Sequence, residues 1–378
     1  MRTFARNLEQ GIFKLFIMTL NTLRAVLFLV FSVAFANLGF ASQDNEDQDK
    51  GFNATEMIMH HVKDAHEFHI VDWDNKPISI ALPIILFTDN GLTTFMSSEF
   101  HHDDSGTHIV EKNGERFVKY HEKIYQLAPG VNSLTFDEEL YPNNATTPLD
   151  FSITKNVFMM WVTVILLFII FISAARKYSK SNNNIPRGVA SYVEPLIVFI
   201  RDEVAIPMIG EKKYKRYMPF LLTVFFFIWI NNIFGLIPIL NGANVSGNIA
   251  FTLSLALFTF FIVMFSGNKN YWKHIFWMPG VPVPMKIFLM PIEIIGMFVK
   301  PFSLTIRLFA NITAGHIIIL SLMSLIFTFK SVAIAPVSVG FSLFILIIEI
   351  VVVAIQAYIF TVLSALYIGM ATAEDDHH

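Results

Sequence analysis

From Met218 to Asn268 the chain contains no Asp, Glu, Lys, Arg or His. The natural solvent for so long an uncharged stretch is the hydrocarbon of a bilayer. About 20 helical residues at 1.5 Å each span that layer, so the run supplies two crossings. The polar segment from Asn241-Gly242 to Gly247-Asn248 is the turn between them. Composition agrees: 54% of residues are hydrophobic, only 15% are charged, and 39 are Phe. With 27 Lys plus Arg against 30 Asp plus Glu, a formal net charge of −3, no basic surplus exists to neutralise a nucleic-acid backbone. The absence of cysteine excludes disulfides, thiolate metal sites and cysteine nucleophiles together.

Val157 to Ser173 forms another apolar run, and Pro301 to Ala373 holds only Arg307, Lys330 and Glu349 as charged residues. Pro336 divides that last stretch into two helices. The fold class expected is therefore an all-α membrane protein with five membrane-crossing helices. Lys and Arg accumulate on the cytoplasmic side of membrane proteins. Arg176, Lys177, Lys180, Arg187, Arg201, Lys212, Lys213, Lys215 and Arg216 fall between the first and second crossings, and Lys269, Lys273 and Lys286 follow the third. The turn between the second and third has none. This places residues 42–150 outside and the acidic tail, residues 374–378, in the cytoplasm.

The last two helices are too long for a simple crossing. Met285 to Phe329 would reach about 68 Å and Pro336 to Ala373 about 57 Å, against a hydrocarbon core of about 30 Å. A pair of long, oblique helices packed as a hairpin accommodates both lengths, with Pro291 and Pro301 as kink points.

Ahead of the membrane segments, residues 1–41 read as a signal peptide: Arg2, Arg6, Lys14 and Arg24 precede an apolar run from Ala25 to Phe35, and Gly39-Phe40-Ala41 offers a small-x-small cleavage site. An uncleaved anchor is the other reading. Residues 42–150 form a polar, exported extension with eight of the twelve histidines: His60, His61, His66, His69, His101, His102, His108 and His121. Their spacing matches no clear ligand pattern, so solvated surface histidines are expected and no metal site. Asn113-Gly114, flanked by Val110-Glu111-Lys112 and Arg116-Phe117-Val118, predicts a β-hairpin.

The residues that carry chemistry lie in the last two helices. An arginine deep in an apolar segment, as Arg307 is, costs about 2.5 to 3.5 kcal/mol on insertion scales. Its guanidinium stays charged, so it is a fixed cation and a poor proton carrier. Glu349 and Glu293 are the carboxylates that could neutralise it in a static ion pair. Ser303, Arg307 and Asn311 recur every four residues as one polar stripe. His316 lies roughly 13 to 14 Å further along the axis and about half a turn out of phase. Glu349 and Gln356 share a face of the last helix. Two separated polar paths, one with a histidine and an acid and the other near Arg307, are an odd way to build a passive core. Glu293 and Lys300 share a helical face, where a structural ion pair and a proton path are equally open. Tyr192 to Ile209 is amphipathic enough to lie at the cytoplasmic surface.

The string Ser303-Leu304-Thr305-Ile306-Arg307-Leu308-Phe309-Ala310-Asn311-Ile312-Thr313-Ala314-Gly315-His316 resembles subunit a of the rotary, F-type ATP synthases. The likeness continues in Lys300-Pro301, in Gln356-Ala357-Tyr358-Ile359-Phe360, in Asn231-Asn232-Ile233-Phe234-Gly235-Leu236-Ile237-Pro238, and in Ala54-Thr55-Glu56 to His60-His61. It covers most of residues 150–373, whereas much of 62–150 looks like an added region whose role the family does not supply.

The resemblance implies a bacterial inner-membrane stator for proton translocation, its long helical hairpin facing a ring of c subunits and its other partners being b-type peripheral-stalk subunits and the lipid bilayer. It implies that Arg307 faces the ring carboxylates, that Asn311 and Gln356 flank it, and that His316 and Glu349 line the half-channel from the periplasm. Many bacterial members carry the acid and the histidine in the opposite order. Ser303 and Glu293 match positions near the cytoplasmic half-channel. The proton is the implied coupling ion, with sodium the lesser alternative, and no cofactor is implied. The chain would not be an enzyme by itself; it has no nucleotide-binding glycine loop, so ATP catalysis would reside on other subunits. Competing readings are a secondary transporter holding an anionic solute at Arg307, for which no internal repeat is visible, and a sensor, for which no cytoplasmic signalling domain follows.

Overall fold

The computed structural model describes residues 63–73, 76–136, 142–180, 188–237, 244–329 and 331–373. The signal peptide, the Ala54–His61 match, the turn at Asn241-Gly242, Lys330 and the acidic tail lie outside the described residues.

The region ahead of the membrane segments is richer in strands than the single hairpin expected. Its strands are β1 (Glu67–Trp73), β2 (Lys76–Ala81), β3 (Pro83–Thr88), β4 (Gly91–Met96), β5 (Val110–Lys112), β6 (Glu115–Tyr120), β7 (Lys123–Leu127), β8 (Ala145–Thr146) and β9 (Leu149–Asp150). They form three sheets: β1-β2, β4-β3-β9 and β5-β6-β7-β8. The expected hairpin is present, pairing Val110 with Phe117 and Lys112 with Glu115. Asn113 and Gly114 take φ of 54° and 79°, the left-handed pair a two-residue hairpin turn requires. In β3, Ile84, Leu86 and Thr88 point inward and Phe87 outward, the period-two pattern of a sheet with one wet face. In β6 the alternation fails because Phe117 packs with Ile84, Leu86, Phe95 and Phe100 while Val118 packs on the other side with Tyr125 and Leu127.

The reading of the exported histidines as solvated holds for His101 and His102, which are exposed. It fails for His66, which is buried with Nε2 2.7 Å from Asp150 Oδ2. Burial there is enforced by strand pairing that sequence spacing does not reveal. Among the described residues no group of three or more His, Cys, Asp or Glu is arranged to hold a metal ion.

The strand β9 carries the chain into the membrane segments. The Phe151 and Ile153 N–H groups donate to Ile85 and Pro83 carbonyls at 2.9 and 3.0 Å, and the Lys155 N–H to Ala65 at 2.8 Å. There α1 (Lys155–Lys180) begins, followed by α2 (Val189–Phe199), a π-helical stretch (Ile200–Ala205), α3 (Ile206–Ile209), α4 (Tyr214–Leu236), α5 (Ile249–Ser266), α6 (Lys269–Phe276), α7 (Val283–Thr328) and α8 (Ala335–Thr372). Among the described residues five helices are long and apolar enough to cross a membrane: α1, α4, α5, α7 and α8. This is the expected all-α membrane fold with a small β region.

The helix α7 has 46 residues and runs on through Pro291 and Pro301, and α8 has 38. These are about 69 and 57 Å of helix, so the long hairpin is present and the break at Pro336 falls in the first turn of α8, where a missing N–H costs nothing. Buried Leu304, Leu308, Ile312, Val353, Ala357 and Phe360 join the two helices to a core shared with α4 and α5. Val193, Ile200, Val204, Ala205 and Ile209 pack into the same core, so the amphipathic segment after Tyr192 is seated against the bundle on its apolar side.

Candidate functional site

The inward face of α7 is set by Leu304, Leu308 and Ile312, which are buried at four-residue spacing. That places Ser303, Arg307 and Asn311 on an adjoining stripe, with Ser303 and Arg307 half-buried and Asn311 exposed. Among the described residues no carboxylate oxygen lies within 4.0 Å of the Arg307 guanidinium. The static ion pair with Glu349 or Glu293 weighed from the sequence is therefore not formed. Arg307 is a charge held in an apolar helix with no acid beside it among the described residues.

Asn311 and Gln356 are brought together. Asn311 Nδ2 donates to Gln356 Oε1 at 2.7 Å, bridging α7 and α8 one turn beyond Arg307. Gln356 is buried, and its Nε2 has no protein partner. The bond fixes the rotation of the two helices about the stripe, because both amides are short and point at each other across the contact.

Glu349 meets α7 at Gly315, the residue before His316. Glu349 is 4% exposed and neither of its carboxylate oxygens has a hydrogen-bond partner among the described residues. It lies against the backbone of Gly315, where a β-carbon would overlap the carboxylate. His316 follows directly, half-buried, with Nε2 enclosed and without a protein partner. His316 lies about 13 to 14 Å along α7 from Arg307.

Sequence reasoning missed a set of enclosed polar groups in the bundle. Asn156 Oδ1, both side-chain polar atoms of Asn232, Asn244 Nδ2, Ser246 Oγ, Thr313 Oγ1, Ser338 Oγ and Ser342 Oγ are enclosed and without a partner among the described residues. They come from the start of α1, the end of α4, the short turn Val245–Gly247 with its N-cap Asn244, which packs on α7, from α7 itself, and from the early turns of α8. A buried polar atom without a partner costs about 1 to 3 kcal/mol, and a polar-lined space of sufficient size is hydrated. The available signal was a stripe: Ser338, Ser342, Glu349 and Gln356 all fall on the buried side of α8. Thr163 Oγ1, by contrast, donates to Asn231 Oδ1 at 3.0 Å inside the bundle, a satisfied structural bond.

Ser303 and Glu293 touch none of the other candidates through any described hydrogen bond or ion pair. Glu293 lies about 21 Å before Arg307 along α7, on the opposite side from His316, in a crevice with His274, Lys286 and Met290. The Glu293–Lys300 ion pair is not formed; Lys300 Nζ sits 5.4 Å from the centroid of the Tyr367 ring instead. Tyr271 on α6 has its phenol pushed up by burial and by the charge of Glu293.

A family model described as "ATP synthase A chain" matches residues 157–369, and one described as "Domain of unknown function (DUF8433)" matches residues 57–151. ATP synthase subunit a of Chloroherpeton thalassium is 49% identical over 267 residues, which cover 68% of this chain and 79% of that protein. ATP synthase subunit a 2 of Chlorobaculum tepidum is 48% identical over 250 residues, covering 64% and 70%. ATP synthase subunit a of Myxococcus xanthus is 45% identical over 237 residues, covering 61% and 76%.

Proposed function

The chain belongs to the ATP synthase subunit a family, and on that premise we propose that it conducts protons through two offset half-channels separated by Arg307. It is a multi-pass membrane protein with a role in proton translocation and is not itself an enzyme. In the proposed assembly α7 and α8 face a ring of c subunits, b-type subunits hold the chain stationary, and residues 42–150 form an exported extension of the membrane domain, residues 151–373, whose C-terminus is cytoplasmic.

A single continuous proton wire would leak without turning a ring. Two half-channels that end at different places force each proton to ride a ring carboxylate between them. His316 and Glu349, with the unpartnered amides and hydroxyls around them, suit the exported half-channel; Ser303 and Glu293, beyond Arg307, suit the cytoplasmic one. A ring carboxylate buried in lipid favours its neutral form, and a nearby cation favours the ionised form, so passage beside Arg307 requires loss of the proton. Asn311 and Gln356 orient that contact. Each unit charge crossing 100 mV releases about 2.3 kcal/mol, so several protons are needed per ATP.

The observation that carries this reading is Arg307 without a carboxylate of its own chain within 4.0 Å among the described residues: the charge is available to a partner. Arg307→Ala is expected to leave assembly intact and abolish proton-driven ATP synthesis in membrane vesicles. Synthesis at the wild-type rate would refute the barrier role.

A further inference from the structure

The burial of β3 alternates, but its composition does not: Pro83-Ile84-Ile85-Leu86-Phe87 is apolar throughout. Such a run belongs to a strand covered on both faces. One face is covered, since Ile84 and Leu86 are fully buried with Phe95, Phe100 and Phe117. The other is exposed, and cross-strand pairing shows how far it extends. In β4, Leu92, Thr94 and Met96 stand opposite Phe87, Ile85 and Pro83. In β9, Leu149 stands opposite Phe87, and the Phe151 and Ile153 N–H groups carry the pairing on to Ile85 and Pro83. Directly opposed residues share a face, so three short rows form one surface on which Thr94 is the only polar side chain and none is charged. Phe87 is 53% exposed, Leu92 61%, Leu149 63% and Phe151 67%. A protein surface in water rarely presents so continuous an apolar patch, and where it does the patch marks contact with a partner or a membrane.

The place of this surface in the chain selects the membrane. Ile153 is two residues before Lys155, where α1 and its membrane-crossing span both begin. At about 3.3 Å per extended residue, Ile153 lies within about 7 Å of that point and Phe151 within about 13 Å. The headgroup layer is itself about 5 to 8 Å deep on each side of the hydrocarbon. The near end of β3 is anchored at the same place: Leu82, next to Pro83, is buried in one cluster with Met159 of α1 and with Val245. The Lys155 N–H also donates to the Ala65 carbonyl at 2.8 Å, so the sheet is held beside the start of the helix. Helix α1 leaves Trp161, Ile165, Phe168 and Ile172 exposed at helical spacing, a stripe for lipid in a membrane-crossing helix. Along the chain, apolar exposure passes from that stripe to the sheet within the ten residues from Trp161 back to Phe151.

We propose that the outer face of the β4-β3-β9 sheet rests on the lipid bilayer that α1 crosses, in the headgroup layer of the leaflet where α1 begins. Laid flat, the sheet keeps its three rows at one depth, with Phe87, Leu149 and Phe151 toward the acyl chains and the Ile84 and Leu86 core turned away from them. Burial of apolar area drives the contact and needs no directional partner, which fits a surface whose one polar group is a hydroxyl. The central strand β3 is paired on both sides, so its backbone enters this layer with its polar groups already bonded. The proposal concerns the seating of the β region and is independent of the proton path.

The chain has no cysteine, so a single substitution places a single nitroxide label. The full chain carrying Phe87→Cys or Leu149→Cys is reconstituted in phosphatidylcholine vesicles. Collision of the label is then measured with oxygen, which concentrates in lipid, and with a nickel chelate confined to water. Trp161→Cys on α1 is the lipid reference, and Glu111→Cys, exposed on β5, is the water reference. Phe87 and Leu149 are more than half exposed, so both substitutions leave the buried side of the sheet intact. Labels at these two positions are expected to match the lipid reference, with oxygen collision exceeding chelate collision several-fold and the order reversed at Glu111→Cys. Chelate collision as frequent as at the water reference would show a face open to solvent. Weak collision with both reagents would show a face covered by protein, either residues 1–62 or a second copy of the chain. Each of those two results overturns the proposal.

Discussion

One missing β-carbon lets the Glu349 carboxylate lie against α7 beside His316. Gly315→Ala is expected to displace that carboxylate, an overpacking cost of about 1 to 3 kcal/mol, and to slow proton-driven ATP synthesis roughly tenfold or more, since 1.4 kcal/mol is a factor of ten. Retained wild-type flux in the Ala variant would show that the contact is incidental. In the exported region, burial alone would raise the pKa of Asp103, but the Ser105 hydroxyl and the backbone N–H groups of His108, Ser105 and Thr107 outweigh it and hold the carboxyl at about 2. A depressed folded-state pKa stabilises above the unfolded value of about 3.9, and that stability is lost as pH falls toward the folded one. Hydrogen exchange of the Ser105–His108 amides in the full chain should therefore accelerate between about pH 4 and 2, and Asp103→Asn should remove that acid step. At this scale His316, Glu349, Arg307 and Gln356 were legible because polar residues stand out in apolar helices. The enclosed Asn232 amide, Asn244 Nδ2 and Ser246 Oγ, without partners among the described residues, were not, since whether an amide or hydroxyl finds a partner depends on tertiary contacts.

Helix lengths translated directly from the sequence into elements, because an uncharged run has few alternatives in lipid. Pro291 and Pro301 lie within a single 46-residue helix, and Pro336 sits where a helix begins. The β region was less legible: β8 and β9 have two residues each and exist only through pairing with β7 and β3, so no local periodicity announces them. Packing is close where α8 crosses α3. A β-carbon at Gly369 would collide with the Met208 carbonyl, which is backbone and has little room to give. Gly369→Val is expected to cost upwards of about 1 to 3 kcal/mol by overpacking and to lower the thermal stability of the detergent-extracted protein, whereas Gly296→Ala, with nothing within 4 Å of the added carbon, should leave it close to wild type. Equal stability of both variants would mean that α8 and α3 do not approach as closely as described.

At the level of the whole molecule, the chain joins a membrane bundle to a β region through Asp64, the Lys155 N–H and the pairing of β9 with β3. The family resemblance accounts for the bundle and leaves residues 62–150 without a role. The central claim is that Arg307 carries a charge meant for a neighbour rather than for its own chain. A density map of the assembled membrane sector tests it most directly. The account predicts the guanidinium turned toward an acidic side chain of the ring, with Asn311 and Gln356 bonded beside it. A guanidinium paired with Glu349 or Glu293 and separated from the ring by lipid would contradict it.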